Sequence, residues 1–352
     1  MKTQIGIIGC GRPGKGQARE HVRGYLEASC DVVALCDIAE ENADSLRDAF
    51  GLTARFYSDF EALLAKEKLD FVSICLWPHL HAPVTIAAAQ SGNVRAIHCE
   101  KPIAPNWGDA KKMVQVCASQ GVQLTFNHQR RFNAQFQLAR EMLKAGEIGE
   151  LQSIEAYCFD LFDWGTHWFD VMFFFNDETP AEWVFGQVDI SASYTIFGLP
   201  LERFGMSHIA FRNGVRGTLV AGRGDDIWNG LRVRLNGSKG SLEVGEAKQS
   251  DKHQLRILND AGGWKPIALE SNGKGDDAYP KLMPEIIASL QTGEKSLLDA
   301  RNALAATELV FATYESARRR ERISLPLEGV EGHPLLEMLR ENGSIPEGTL
   351  IG

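Results

Sequence analysis

Residues Gln4–Gly16 read QIGIIGCGRPGKG. Gln4–Ile8 is the short apolar run that a buried strand needs. It breaks into a turn with Gly9, Gly11 and Gly14 at G-x-G-x-x-G spacing. Pro13 lacks a backbone N–H, which suits the first turn of a helix, where that donor goes unused. Strand, glycine turn and helix start together make a pyrophosphate cradle. Glycines let the backbone approach the phosphates, and the helix N-terminus offers free N–H groups. Gly9, Gly11, Arg12 and Gly14 are therefore candidate cofactor contacts, with Gly16 the alternative third glycine if the turn runs two residues longer. A tight turn that binds nothing can share this spacing, so the motif gains weight only from its strand–turn–helix setting.

A second β-branched run, Asp31–Asp37 (DVVALCD), ends in a carboxylate. Asp37 follows the glycines by about the 20 residues that separate the turn from an acid accepting hydrogen bonds from an adenosine ribose. Such an acid favours the free diol of NAD and repels the extra phosphate of NADP. No arginine immediately follows Asp37, which leans the same way. The alternative is that Asp37 only ends a strand and caps the helix beginning near Glu40.

A chain of 352 residues is long enough for two domains with sizeable cores. A net charge of −9 argues against nucleic acid or an anionic membrane as main partner, since both reward basic surfaces. The cysteines, at positions 10, 30, 36, 75, 99, 117 and 158, are odd in number and never form a C-x-x-C pair. They read as buried reduced thiols of a cytoplasmic protein, with neither a disulfide frame nor a metal site. The first strand lies next to Met1, so no leader is expected. No apolar run approaches the roughly 20 residues of a membrane span.

Further apolar runs at Phe71–Leu76, Ala96–Cys99 and Gln123–Phe126 alternate with helical patterns at Gly16–Ala28, Glu40–Phe50, Phe60–Lys66, Ala82–Ser91 and Trp107–Gln120. Near-continuous apolar strands separated by helices predict a doubly wound parallel sheet, an N-terminal Rossmann domain over residues 1–126. A helix over Phe132–Ala145 follows, then a strand over Leu151–Phe159 and a helix over Thr166–Phe175. Strands dominate to about Val244, with turn signals at Asn213-Gly214 and Asn236-Gly237. Ala247–Tyr279 reads as loops with one or two edge strands, and helices return at Pro280–Thr292 and Ala300–Arg319. Residues 127–330 are thus expected to form an α+β domain on a mostly antiparallel open sheet, and 331–352 a loop-rich tail.

Ligands of such parallel sheets bind beyond the carboxyl ends of the strands, where Asp37, Trp77–His81 and Glu100–Pro102 fall. A lysine at a strand end, Lys101, can hydrogen-bond a substrate oxygen and stabilise developing negative charge. In D-W-G-T-H-W-F-D, residues 163–170, His167 and Asp170 share a helix face. A histidine oriented by a carboxylate is a natural general base. Asp163 precedes that helix and can serve as its N-cap. Asn127–Asn133 (NHQRRFN) can line a polar pocket or form a solvated helix entry; Arg130 and Arg131 can clamp a carboxylate or phosphate, or one of them can serve a structural ion pair; Trp164 can stack on a sugar ring or fill core.

In order, the GxGxxG turn, Asp37, Pro78 with His81, EKP at 100–102, Arg131-Phe132 and D-x-G-x-H-x-x-D at 163–170 resemble the glucose–fructose oxidoreductase/inositol dehydrogenase/MocA (Gfo/Idh/MocA) family. The resemblance extends to GSKGSLEV at 237–244 and YESARRRERISLPL at 314–327. His21 looks like the family's early helix histidine, displaced by two residues, and Trp77-Pro78-His79 departs from the commoner small and amide residues. The resemblance implies an NAD(P)-dependent enzyme acting on CH–OH groups of sugars, cyclitols or related polyols. It implies Lys101 holding the reacting oxygen, His167 as acid/base and Asp163 orienting them. Pro78, His81 and Glu100 join Lys101 around the cofactor; Asn127, Arg130, Arg131, Trp164 and His167 bind substrate. A cis Lys101–Pro102 bond and a homodimer or homotetramer built on the open sheet face are also implied. Two alternatives stay open: a glycosidase using bound NAD for transient oxidation, and a non-catalytic NAD-binding ligand sensor.

Overall fold

A computed structural model describes residues 2–191, 194–222, 231–245, 254–259, 262–269 and 278–345. The chain divides into two compact units. The first comprises Met1–Pro105, Asp109–Gln129 and Ala278–Leu304, the second Asn106–Gly108, Arg130–Asp277 and Ala305–Gly352. No helix among the described residues is long and apolar enough to cross a membrane.

The first unit holds a six-stranded sheet: β1 (Gln4–Ile8), β2 (Asp31–Cys36), β3 (Arg55–Tyr57), β4 (Leu69–Ile74), β5 (Val94–Cys99) and β6 (Gln123–Phe126). All pairings are parallel, in the order β3-β2-β1-β4-β5-β6, the doubly wound dinucleotide-binding arrangement. Ile5, Ile7, Phe71, Val72, Ala96 and Ile97 are wholly buried, as strands covered on both faces must be. The crossovers are α1 (Ala18–Glu27), α2 (Glu40–Phe50), α3 (Phe60–Lys66), α4 (Pro78–Gln90) and α5 (Trp107–Gln120). β3 has no counterpart among the expected runs; RFY is short and half-buried at the sheet edge. Helix α4 begins four residues before the expected Ala82. Pro78 occupies its first turn, where a missing donor costs nothing, although Pro83 sits inside it.

In the second unit, α6 (Ala134–Lys144) precedes β7 (Leu151–Cys158) and α7 (Gly165–Phe175). Further strands are β8 (Ala181–Asp189), β9 (Tyr194–Ile196), β10 (Leu199–Leu201), β11 (Phe204–Phe211), β12 (Arg216–Gly222), β13 (Leu231–Gly237), β14 (Gly240–Gly245), β15 (Leu255–Asn259), β16 (Trp264–Pro266) and β17 (Ile323–Ser324). Eight of them, with β7, form one nine-stranded sheet, β16-β15-β14-β13-β7-β12-β11-β8-β17, antiparallel except where β7 meets β12. The remaining helices are α8 (Tyr279–Thr292), which lies in the first unit and packs on α1, α9 (Ala300–Arg319) and α10 (Pro334–Glu341). Hairpins close at both expected sites, the second around Ser238-Lys239 rather than Asn236-Gly237. Residues 246–253, 260–261 and 270–277 of the stretch read as loops lie outside the described residues; β15 and β16 are its strands, with β16 at the edge of the sheet. The loop-rich tail is corrected by α10, whose Pro334, Leu335, Leu336 and Leu339 are buried on one face.

Helix α7 is apolar on nearly every side, and all of its residues are buried. A helix of that kind belongs inside a core, which is why the polar His167 and Asp170 on it stand out.

Candidate active site

The glycine turn is longer than a minimal one. Helix α1 starts at Ala18, and Lys15 N–H donates to the Arg12 carbonyl at 2.9 Å. Gly9 and Gly11 both adopt positive φ (88° and 73°). A Cβ on Gly9 would lie 2.5 Å from the Cys75 carbonyl oxygen, and one on Gly11 2.8 Å from that of Lys15. At the third position the two candidates differ. A Cβ on Gly16 would come within 3.2 Å of Gly11 Cα, whereas one on Gly14 meets nothing within 4 Å. The crowding that demands glycine therefore falls on Gly9, Gly11 and Gly16. Arg12 is exposed in the turn.

Asp37 stands at the carboxyl end of β2. Its Oδ2 accepts from Cys10 N–H at 2.8 Å, and its Oδ1 from Ala39 N–H (3.1 Å) and Asn42 Nδ2 (2.8 Å). Beside it Ile38 is 96% exposed, an isoleucine with nothing of its own chain to cover it. An anion and an apolar side chain thus border the glycine turn together.

Beyond β4, Pro78 is buried and opens α4. His81, also fully buried, places Nδ1 2.9 Å from the Pro102 carbonyl and Nε2 3.0 Å from that of Leu76. Burial pushes its imidazole below the ordinary range, against the pull of those carbonyls. Its visible work is to brace the chain just past Lys101, and its side chain does not reach the surface. The Lys101–Pro102 bond is cis, as the resemblance implies.

Glu100 turns inward. Its Oε1 accepts from His21 Nε2 at 3.0 Å and from Asn127 Nδ2 at 2.6 Å, and Oε2 accepts from Lys101 N–H at 3.2 Å. Burial alone would raise this carboxyl, but the hydrogen bonds from His21 and Asn127, with Lys101 nearby, hold it below its usual range. Asn127, expected to bind substrate, is 1% exposed and gives its second amide hydrogen bond to the Tyr279 hydroxyl at 2.8 Å. Lys101, next in the chain, is half-buried.

In the second unit, Arg131 is corrected from a substrate clamp to a structural ion pair. It is fully buried, forked onto Asp170 (2.7 and 2.8 Å), and also bonded to Glu178. Asp170 is thereby the carboxylate partner of Arg131. Arg130 instead lies over two indoles, with Cζ 4.5 Å from the Trp168 ring centroid and 5.4 Å from that of Trp164. Arg232, buried, approaches the same two rings and Phe159 at 5.3–6.0 Å. Nothing in the sequence reading singled it out; the signal was an arginine alternating with buried Val233 and Leu235 on a strand.

His167 sits in the first turn of α7, 3% exposed, and Asp163 in the loop before it, 8% exposed. Asp163 is not the N-cap. Asp160 organises this turn: its Oδ1 accepts from the backbone N–H of Asp163 (2.6 Å) and Trp164 (3.0 Å), and its carbonyl from that of Gly165 (2.8 Å). Behind it Glu202 accepts from Leu161 N–H and Tyr314 OH, both at 2.7 Å. Burial, reinforced by Asp160, pushes the Glu202 carboxyl up to about 7, and burial with Asp163 also raises Asp160.

Two family models match, one for the N-terminal NAD-binding Rossmann fold over residues 3–128 and one for the C-terminal alpha/beta domain over residues 160–325 of the same oxidoreductase family. The chain belongs to the Gfo/Idh/MocA family. It is an NAD-binding oxidoreductase of that family. Among curated Gfo/Idh/MocA-type relatives it is 27% identical to a D-apiose dehydrogenase of Paraburkholderia graminis, covering 91% of this chain and 88% of that one. It is 24% identical to an inositol 2-dehydrogenase of Rhizobium meliloti, covering 92% and 100%. Its fold matches the WlbA dehydrogenase of Bordetella pertussis, solved with NADH and UDP-GlcNAcA (TM-score 0.75, 24% identity, 93% of this chain and 100% of that one).

Proposed function

We propose that this protein is an NAD-dependent dehydrogenase or reductase that moves hydride between nicotinamide and a CH–OH carbon of a sugar, cyclitol or related polyol. The observation that carries the cofactor preference is Asp37, an anion fixed by three N–H donors at the edge of the glycine turn. It accepts ribose hydroxyls and repels a 2′-phosphate, while Ile38 offers an apolar face to the adenine. Gly9, Gly11 and Gly16 supply the backbone approach for the pyrophosphate, and their missing Cβ atoms fit that demand.

When bound, NAD supplies the hydride acceptor. Toward the substrate, Lys101 stabilises the negative charge that develops on the reacting oxygen. His167 takes the hydroxyl proton in oxidation and returns it in reduction. Asp163 and Trp164 enter as neighbours that orient and cover the sugar, and Arg130 as a cation beside Trp164. The substrate class rests on the relatives, two of which are named for apiose and inositol. Reduction of NAD and NADP over a panel of sugars, inositols and sugar acids tests the reading. Lys101→Ala and His167→Ala should each cost about 10²–10⁴-fold in kcat with NAD affinity nearly intact. Full turnover by either variant overturns the assigned role.

We also infer self-association. Trp183 and Phe185 on β8 share a face with Phe204 and His208 on β11, and Phe185 and Phe204 are more than a third exposed. An apolar sheet face of this kind seeks a second copy. Light scattering should report a homodimer or homotetramer at micromolar concentration, and a monomeric mass would remove the inference.

A further inference from the structure

His21 has no part in the function proposed above, yet it is wholly buried and bonded at both ring nitrogens. An ionised carboxylate can only accept, so the Nε2 that faces Glu100 at 3.0 Å carries the proton and donates it. On the other side Nδ1 lies 2.7 Å from Ser73 Oγ, which Tyr25 OH also approaches at 3.2 Å. The groups around the pair come from every element packed on it. They are Tyr25 on α1, Ser73 and Cys75 at the end of β4, His98 on β5, Asn127 past β6, and Tyr279 on α8. The His98 ring lies 4.9 Å from that of His21, and its Nδ1 meets Thr125 Oγ1 at 2.9 Å. Tyr279 OH continues the chain to Gln17 at the start of α1, 3.1 Å away.

This network joins two pieces of backbone that the proposed chemistry needs together. One is α1, which follows directly from the glycine turn. The other is the strand end Glu100-Lys101. Lys101 follows Glu100 directly in the chain, so the bonds that hold the Glu100 carboxylate also fix the backbone from which the Lys101 side chain starts. A merely structural demand at position 100 would be met more cheaply by an apolar side chain, because burying a carboxylate carries a desolvation cost. What the carboxylate adds is direction: three donors, from α1, from the chain past β6 and from the Lys101 backbone, converge on its two oxygens.

We propose that His21 and Glu100 are positioning residues for the reaction, tying the helix of the glycine turn to the backbone that presents Lys101. This rests on the reading of Lys101 as the group that serves the reacting oxygen.

The test is a double-mutant cycle on the full-length enzyme with the best substrate of the panel. His21→Phe keeps a ring and removes the donor; it should lower kcat by about tenfold to a hundredfold while KM for NAD stays within about threefold. His21→Gln, which restores an N–H donor, should recover most of the loss. In a Lys101→Ala background His21→Phe should add almost nothing, because the group it positions is gone. Turnover of His21→Phe close to that of the unaltered enzyme overturns the proposal, and so does a double variant that falls by the product of the two single losses. If His21→Phe does not fold, Asn127→Ala removes another donor to the same oxygen and must show the same dependence on Lys101. Lys101→Ala with undiminished turnover refutes the parent reading and the pair with it, and that one measurement separates the two failures.

Discussion

Glu100 in the first unit and Glu202 in the second are the same residue, buried to the same degree (6% and 1% exposed), in opposite company. Glu100 faces His21, Asn127 and the Lys101 backbone, and its carboxyl is held below the usual range despite burial. Glu202 receives only a backbone N–H and a tyrosine hydroxyl, and has the carboxylate of Asp160 as its neighbour. Burial and that like charge push it up to about 7. Burial penalises both; what decides the outcome is whether the donors are numerous and one of them is an imidazole, or few, neutral and opposed by an anion. The first arrangement fixes a charge. The second leaves a group whose proton is gained and lost near neutrality.

The sharpest way to break the comparison is to delete the first carboxylate. Glu100→Ala would leave the N–H groups of His21, Asn127 and Lys101 pointing into a buried space without their acceptor. Breaking a buried polar pair by removing one partner costs about 3–5 kcal/mol. Denaturant unfolding should show a loss of that order, and a loss under about 1 kcal/mol would mean that water replaces the carboxylate at no cost.

Glu202 should respond with the opposite sign. Its folded carboxyl titrates at about 7 and its unfolded one at 4.5. Between those values the unfolded chain has released a proton that the folded chain still holds, so unfolding releases a proton and stability falls as pH rises. Glu202→Gln removes that penalty. Its side chain can still accept from Leu161 N–H and donate to the Tyr314 oxygen, so the variant should be more stable than the parent above pH 7, by about 2–3 kcal/mol, and the gain should vanish toward pH 4.5. Melting temperatures across pH 4.5–8 measure it. Equal stability of the two proteins at pH 8 would show that Glu202 is not the group that carries the shift. Glu100, held low, predicts the reverse: stability present above its ordinary carboxyl range and lost as pH falls below it.

The contrast also explains what could be read from the chain alone. Strand and helix patterns were legible in the first unit, because each parallel strand is a short continuous apolar run and each crossover helix has its own stripe. α2, α3 and α5 fall on the expected bounds, as does α9, most of which lies in the second unit. The glycine turn and the carboxylate of Asp37 beside it were legible because their signal lies within a few dozen residues, although the crowding falls on Gly16 and not on Gly14. The partners of polar side chains were not. Asn127 reads as a pocket amide until Tyr279 arrives from α8, and Arg131 reads as a clamp until Asp170 and Glu178 take it. Residue type tells what a side chain can bond, and only the fold tells what it does bond. The Glu202–Asp160 pair was invisible for the same reason, since nothing near either residue in sequence marks them as neighbours.

Asp37 gives the smallest effect and separates charge from geometry. It stands between the two glutamates in character: half-buried, accepting three N–H bonds, and open on one side. Asp37→Asn keeps the size but places an amide where Cys10 N–H or the donors of residues 39 and 42 need an acceptor. One hydrogen bond is lost, for about 1 kcal/mol of stability. The cofactor arms then discriminate. A loosened glycine turn weakens NAD and NADP alike, because both need the pyrophosphate cradle. Loss of the negative charge weakens NAD alone, since the ribose hydroxyls lose an ionised acceptor, and relieves the repulsion felt by a 2′-phosphate. Calorimetric titration should therefore show NAD binding about tenfold weaker and NADP binding unchanged or tighter. A parallel fall in both affinities would reduce Asp37 to a brace for the turn, and tighter NADP than NAD binding in the unaltered protein would remove the preference altogether.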